Sequence, residues 1–237
     1  MKKTIFLVIL GVVTIGCIFY GTKKHFGSHV RFFDHGLVNI DYSDDNGDIR
    51  ESLNQSLEKF SAIKMNISVA EVRLETGDDF KIESTYTKEW LKPDFSVKSG
   101  VLDVSQPGKR HETRWGNQNC KIIITVPEGT KLSDIRIDSN VGDITIRSLT
   151  ADDITINLNV GEVDIRNAGF NSVDIDNNVG EITIDSEVDL NDYDISVSAD
   201  IGEVRVGGKN YKRSYNSRGN GKKKIKVNTN VGEINIK

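Results

Sequence analysis

Seven residues, Asn-Val-Gly-[Asp/Glu]-[Ile/Val]-x-[Ile/Val], recur through the C-terminal half of this 237-residue chain and limit what it can fold into. The copies run Asn140–Ile146, Asn159–Ile165, Asn178–Ile184, Asp200–Val206 (where Asp-Ile replaces Asn-Val) and Asn230–Ile236. Their glycines, Gly142, Gly161, Gly180, Gly202 and Gly232, lie 19, 19, 22 and 30 residues apart, and Ser68–Leu74 is a degenerate earlier copy. Ahead of each copy a second short run alternates apolar and polar: Ile135/Ile137, Ile154/Ile156/Leu158, Val173/Ile175, Ile195/Val197 and Ile225/Val227. A period of two marks a strand. Each unit is therefore strand, tight corner, strand, loop, and one unit alone cannot bury its apolar side.

Stacking the units pairs equivalent strands in parallel at roughly 4.8 Å per layer. The expected fold is all-β: a repeat β-solenoid, β-helix-like, of stacked short strands. An antiparallel β-sandwich is the alternative, because 19 residues also make a hairpin. The pattern reads Val141, Ile144, Ile146 and their equivalents as inward. Val141 to Ile144 is an odd offset, so a bend must separate them, and Gly142 sits there. In register, Asp143, Glu162, Glu181, Glu203 and Glu233 form one column and Asn140, Asn159, Asn178 and Asn230 another. Carboxylates about 5 Å apart in water repel by roughly 0.8 kcal/mol per pair. The acidic column reads as a solvated corner that discourages edge growth, with cation binding as the competing reading. The amides can ladder.

Strand periodicity also covers Ile63–Ile67, Phe80–Ile82, Phe95–Val97, Val101–Val104 and Lys121–Val126, the last ending at the turn Pro127-Glu128-Gly129. Residues 60–237 are thus expected to form the β-repeat domain. Residues 25–59 read as a stalk, and Ile49, Leu53, Leu57 and Phe60 predict a short helix around 48–59. Residues 1–24 read as a membrane anchor. Lys2 and Lys3 precede an apolar run, and Thr4–Gly21 would span roughly 27 Å as a helix. Ala-x-Ala is absent, which argues against cleavage. Thr14-Ile15-Gly16-Cys17 resembles a lipidation site, but Ile18-Phe19-Tyr20 continues the apolar run past it. An uncleaved transmembrane helix fits best. The protein is accordingly expected in the cell membrane, single-pass, with an extracytoplasmic β-domain held to the lipid bilayer by that helix.

Net charge is only −4, which suggests neither a nucleic-acid binder nor an acidic tail, but the average hides an asymmetry. Residues 134–203 hold seventeen Asp/Glu against three Lys/Arg, whereas residues 204–231 hold nine Lys/Arg and no acid. The insertion Gly207–Lys224 lengthens the last repeat spacing and carries Lys209, Lys212, Arg213, Arg218, Lys222, Lys223 and Lys224. These seven are the candidate contacts to anionic lipid or cell-wall polymer. A solvated loop, or one folded back on the acidic repeats, is the bland alternative. Cys17 and Cys120 cannot make a disulfide framework. His25, His29 and His35 read as polar residues beside the bilayer rather than a metal site. No catalytic, cofactor or metal motif is present.

Three stretches carry a family resemblance: the pattern F-x-x-I-x7-E-V-x-L at Phe60–Leu74, the segment KIIITVPEGTKLSDIRIDSNVGDITI at 121–146, and the repeated G-[DE]-[IV]-x-[IV]. Over about residues 55–237 the chain resembles the bacterial adhesin-like β-strand-repeat family, also called Toastrack. The resemblance implies a membrane-tethered protein without catalytic residues, in a family some of whose members occur beside envelope-stress systems. The expected function is a non-catalytic interaction or scaffold protein of the bacterial cell envelope, with envelope-stress membrane proteins among its partners. A surface adhesin binding polymer or host ligand is the alternative. A polysaccharide-acting β-helix enzyme fits less well, because the carboxylates are spread periodically and the loops are short.

Overall fold

A computed structural model describes residues 51–106, 119–186, 188–219 and 221–237. The strands in chain order are β1 (Glu51–Ser56), β2 (Ala62–Val69), β3 (Glu71–Gly77), β4 (Lys81–Tyr86), β5 (Asp94–Lys98), β6 (Val101–Ser105), β7 (Cys120–Pro127), β8 (Lys131–Val141), β9 (Ile144–Arg147), β10 (Thr150–Val160), β11 (Val163–Arg166), β12 (Gly169–Val179), β13 (Ile182–Asp185), β14 (Tyr193–Ile201), β15 (Val204–Val206), β16 (Lys209–Tyr211), β17 (Ser214–Ser217), β18 (Lys223–Val231) and β19 (Ile234–Ile236). They form a ten-stranded and a nine-stranded sheet that share one apolar core.

Equivalent strands pair in parallel and in register. Ile135, Ile154, Val173 and Ile225 are successive partners in one sheet. Ile144, Val163, Ile182 and Ile234 are successive partners in the other. This is the solenoid and not the antiparallel sandwich. Each of the five copies crosses from one sheet to the other at its glycine, and the degenerate first copy crosses at Ala70. Gly161 has φ +146°, and a Cβ added there would collide with the carbonyl oxygen of Gly142 in the layer beneath. Glycine is required twice, for backbone conformation and for close approach.

One part of the inward set is corrected. Val141 is 39% exposed and its equivalent Ile201 58%. The strand's alternation buries 135, 137 and 139, and the backbone then turns before residue 141 can point inward. The inward corner position is Ser139, with Leu158, Asn177, Thr229 and Ala199 as its register partners. Ser139 to Ile144 is still an odd offset, so the argument for a bend survives the change. Asn177 and Thr229 sit side by side in the core, and Asn177 Oδ1 and Thr229 Oγ1 have no hydrogen-bond partner among the described residues. Buried polar atoms without partners destabilise. Thr229→Val is therefore expected to stabilise the fold by about 1 kcal/mol, read as a Tm rise of about 2–4 °C. An unchanged or lower Tm would show that the hydroxyl is satisfied.

The expected helix around 48–59 is also corrected, since Glu51–Ser56 is a strand paired antiparallel with β4. Leu53 and Leu57 still pack on the core. Their helical spacing was misleading because the open edge of β4 offers a row of unpaired backbone groups, and satisfying them outweighs a weak local helix pattern. At this end of the molecule β4 and β5 run antiparallel to β7 and β6 and close the stack. The buried Gln106 side chain completes it. Its Oε1 accepts from the N–H groups of Ser68 and Val69 (both 2.9 Å), and its Nε2 donates to the carbonyls of Val69 (3.2 Å) and Leu91 (2.7 Å).

The expected membrane span at 1–24 with Cys17, the stalk through residue 50 and the three histidines lie outside the described residues. Among the described residues no helix is long and apolar enough to cross a membrane. The chain enters the solenoid at β1, one edge of the ten-stranded sheet, while β16 forms the opposite edge. Nine interstrand steps separate them, roughly 43 Å.

Candidate functional site

The basic insertion folds as a cap on the last layer. Gly207 and Gly208, at φ +57° and +75°, reverse the chain so that β16 pairs antiparallel with β15. Lys212 and Arg213 cross to the other sheet, where β17 pairs antiparallel with β14. The Arg213 carbonyl accepts from the Ala199 N–H (2.7 Å). Tyr211 and Tyr215, half-buried against the core with ring centroids 4.6 Å apart, fix the underside.

The cap distributes the seven predicted cations unevenly. Lys209 lies on the terminal edge of one sheet, and Lys212 and Arg213 lie on the crossing between sheets. Arg218 and Lys224 line an open depression of ≈ 450 Å³ with Asp194, Ser196, Asn216 and Lys226. Lys222 is exposed just before β18. Lys223 is half-buried, with Nζ 5.3 Å from the centre of the Tyr193 ring. Lys209, Lys212, Arg213, Arg218, Lys222 and Lys224 are all exposed, and none is in an ion pair among the described residues. The insertion itself does fold back on the repeats, through β16 on β15 and β17 on β14, while these six side chains make no ion pair with the acids among the described residues. The walls of the solenoid behave differently: Lys131 pairs with Asp152, Arg166 with Asp164 (2.8 Å) and Lys237 with Asp185 (3.5 Å).

Lys226 belongs to this surface, although it was not among the candidates. Strand alternation carries the signal, since residues two apart project to one face. Its Nζ lies 3.0 Å from Asp174, and that hydrogen bond holds its ammonium above the ordinary lysine pKa. Asp194, the register partner of Lys224 in this depression, accepts from the Gly219 N–H (2.9 Å) and orders the loop before β18.

The other columns are structural in geometry. Asn159 donates to Asn140 (2.8 Å), Asn178 to Asn159 (2.7 Å) and Asn230 to Asn178 (2.8 Å), so the amide ladder forms on the surface. The acids stand at successive corners. Their backbone carbonyls bond the next layer, as where the Ile144 N–H donates to Glu162 (2.8 Å). Among the described residues no group of three or more His, Cys, Asp or Glu side chains could hold a metal ion. Burial pushes the Cys120 thiol up to about 11, which keeps it protonated and poor as a nucleophile.

The profile of the Toastrack DUF4097 family matches residues 60–206, more than half of the chain. The chain belongs to the Toastrack family. The crystal structure of a "putative cell adhesion protein" from Clostridium sporogenes shares the Toastrack fold at TM-score 0.60 and 22% identity, covering 79% of this chain and 98% of that one. A "putative adhesin" from Bacteroides fragilis matches over 79% of this chain and 97% of its own at 14% identity and TM-score 0.39. No curated protein matches. The family match stops at Val206, so most of the cap lies beyond the shared repeat.

Proposed function

We propose that this chain is a non-catalytic, membrane-tethered interaction module of the bacterial cell envelope whose C-terminal cap docks on an anionic wall polymer. The observation that carries this is the set of six exposed cap cations that have no ion pair among the described residues, next to repeats whose carboxylates pair most of the wall cations, Lys131, Arg136, Arg166, Lys226 and Lys237 among them. Unpaired cations gathered on one end create an outward positive field, which attracts a polyanion. The cap's position fits a target beyond the tether: it lies at the far edge of the solenoid from the strand where the chain enters. An adhesin-like role is the same chemistry with the ligand on another surface.

Replacing Lys209, Lys212, Arg213, Arg218, Lys222 and Lys224 by Gln in the full chain tests this. Each cation near an anionic surface contributes up to about 1 kcal/mol. Sedimentation with wall sacculi carrying their anionic polymer should weaken at least about 100-fold. Sacculi stripped of that polymer should not bind the native chain. The Tm should stay within about 2 °C, because all six side chains are exposed. Unchanged sedimentation of the variant sinks the proposal. Binding to phosphatidylglycerol vesicles that the six-Gln variant loses relative to neutral vesicles, with no binding to sacculi, would assign the cap to lipid instead.

A further inference from the structure

In the middle layers, side chains on the outer face of the nine-stranded sheet bond one another across strands. Asn157 donates to Asp138 (2.7 Å), Asn228 to Asp176 (2.7 Å), Ser198 to Asn228 (2.8 Å) and Lys226 to Asp174 (3.0 Å). The depression beside the cap breaks this pattern. Ser196, Asn216, Arg218 and Lys224 line it and are exposed, and their side chains make no hydrogen bond or ion pair among the described residues.

Register explains where the surface dips. β18 lies between β12 and β14, and β17 covers the other side of β14. Ser196 therefore has Lys226 on one side and Asn216 on the other. Two residues earlier, on the same face, Asp194 has Lys224 as its partner. The Gly219 N–H donates to Asp194 (2.9 Å) and so brings Arg218 alongside it. A short serine among longer side chains is the low point, with Ile195 and Ile225 buried beneath. Neighbouring strands are about 4.8 Å apart and residues two apart about 6.6 Å, so these side chains surround an area close to that of one phosphate group and its first substituents.

The donors define the charge and shape of a ligand. Lys226 is already paired with Asp174, so Arg218 and Lys224 stand against Asp194 and leave one net positive charge. That charge matches a phosphodiester and not a phosphomonoester, which carries about −1.5 to −2 at neutral pH. A carboxylate also carries a single charge, but its two oxygens lie in one plane and a single arginine fork satisfies them. Here the donors come from β14, β17, β18 and the residue after β17, at two levels of the register. A tetrahedral phosphate meets such a set from several sides at once. Asp194 Oδ2 makes no hydrogen bond among the described residues and, as a pure acceptor, suits a hydroxyl next to that phosphate.

We infer that this depression is a subsite for a polyol phosphodiester, with the phosphate on Arg218, Lys224, Ser196 and Asn216 and a neighbouring ligand hydroxyl on Asp194. The subsite rests on the reading of the cap as a polyanion-binding surface and narrows its ligand to one chemical class. A glycerol phosphate polymer and a phosphatidylglycerol headgroup share that chemistry.

The test compares the native full chain with the double variant Ser196→Val, Asn216→Val, which alters no charge and fills the low point. The probes are beads bearing poly(glycerol phosphate), beads bearing polygalacturonate at equal charge density, and phosphatidylglycerol vesicles measured against phosphatidylcholine vesicles. The native chain should bind the phosphate polymer at least about tenfold more tightly than polygalacturonate, because only the phosphate meets every donor. The double variant should lose at least about fivefold on the phosphate polymer and stay within about twofold on polygalacturonate, since general attraction depends on charge alone. Retained binding to polygalacturonate also shows that the variant is folded. A loss of that size on phosphatidylglycerol vesicles, with none on the polymer, keeps the subsite and makes the lipid headgroup its ligand. A double variant that binds polymer and vesicles as the native chain does overturns the subsite and leaves the cap a general polyanion surface. A native chain that binds neither polymer nor the anionic vesicles overturns the subsite and the cap reading together.

Discussion

Gly161→Ala should cost at least about 4 kcal/mol of stability, far more than the ordinary price of alanine at a left-handed position. Two effects combine. The residue sits at φ +146°, which L side chains rarely adopt, and its new Cβ would meet the carbonyl of Gly142. That carbonyl belongs to a corner column running from Ala70 through Gly142, Gly161, Gly180 and Gly232 to Gly202, so relief requires parting two layers. At about 2–4 °C per kcal/mol for a chain of this size, Tm should fall by roughly 8–16 °C. Gly208→Ala is the matched control: φ is +75° and nothing lies within 4 Å of the added atom. It should cost about 1 kcal/mol. Equal losses at the two sites would mean that backbone conformation alone, not stacking, dictates the repeat glycine.

Gln106→Ala should cost about 3 kcal/mol, the second-largest loss expected. The amide makes four hydrogen bonds to backbone groups and is only 7% exposed. Its removal strands the N–H groups of Ser68 and Val69 at the corner of the first stacked repeat. Those N–H groups are part-buried and the Leu91 carbonyl that the amide also bonds is buried, so water replaces the four bonds incompletely. Asn159→Ala is the comparison. Its amide bonds Asn140 on the surface (2.8 Å), where water substitutes readily, and about 0.5 kcal/mol should be lost. Urea unfolding of both variants decides. A similar loss at the two sites would show that burial does not set the value of the Gln106 amide.

The contrast between these sites reflects what a repeat can disclose. Gly161 was legible because it recurs at a fixed offset from alternating Ile and Val, and an odd offset between buried positions demands a bend. Gln106 has no repeat to betray it. It stands outside every copy, and its partners are 15 to 38 residues away in the chain. The exposed Val141 was misread because alternation counts residues along a straight strand and cannot register where the backbone leaves the sheet. Lys226 was overlooked as part of the cap surface because it lies past the insertion, inside a strand. Alternation puts it on one face with Lys224, but only the pairing of β18 between β12 and β14 places it beside Arg218.

By itself the sequence determined the local elements: strands of period two, glycine corners and a basic insertion, with parallel stacking and an antiparallel sandwich both left open. These follow from short-range periodicity and from the inability of one unit to bury its own apolar side. The tertiary structure alone decided the order of the layers, the antiparallel closures at both ends and the separation of the chain's entry from the basic cap. Every copy presents nearly the same backbone edge, so hydrogen bonding cannot rank the possible stacking orders. Side-chain pairs such as Asp174 with Lys226 and Asp185 with Lys237 fit the observed order, and their members are 52 residues apart and meet only in the folded solenoid.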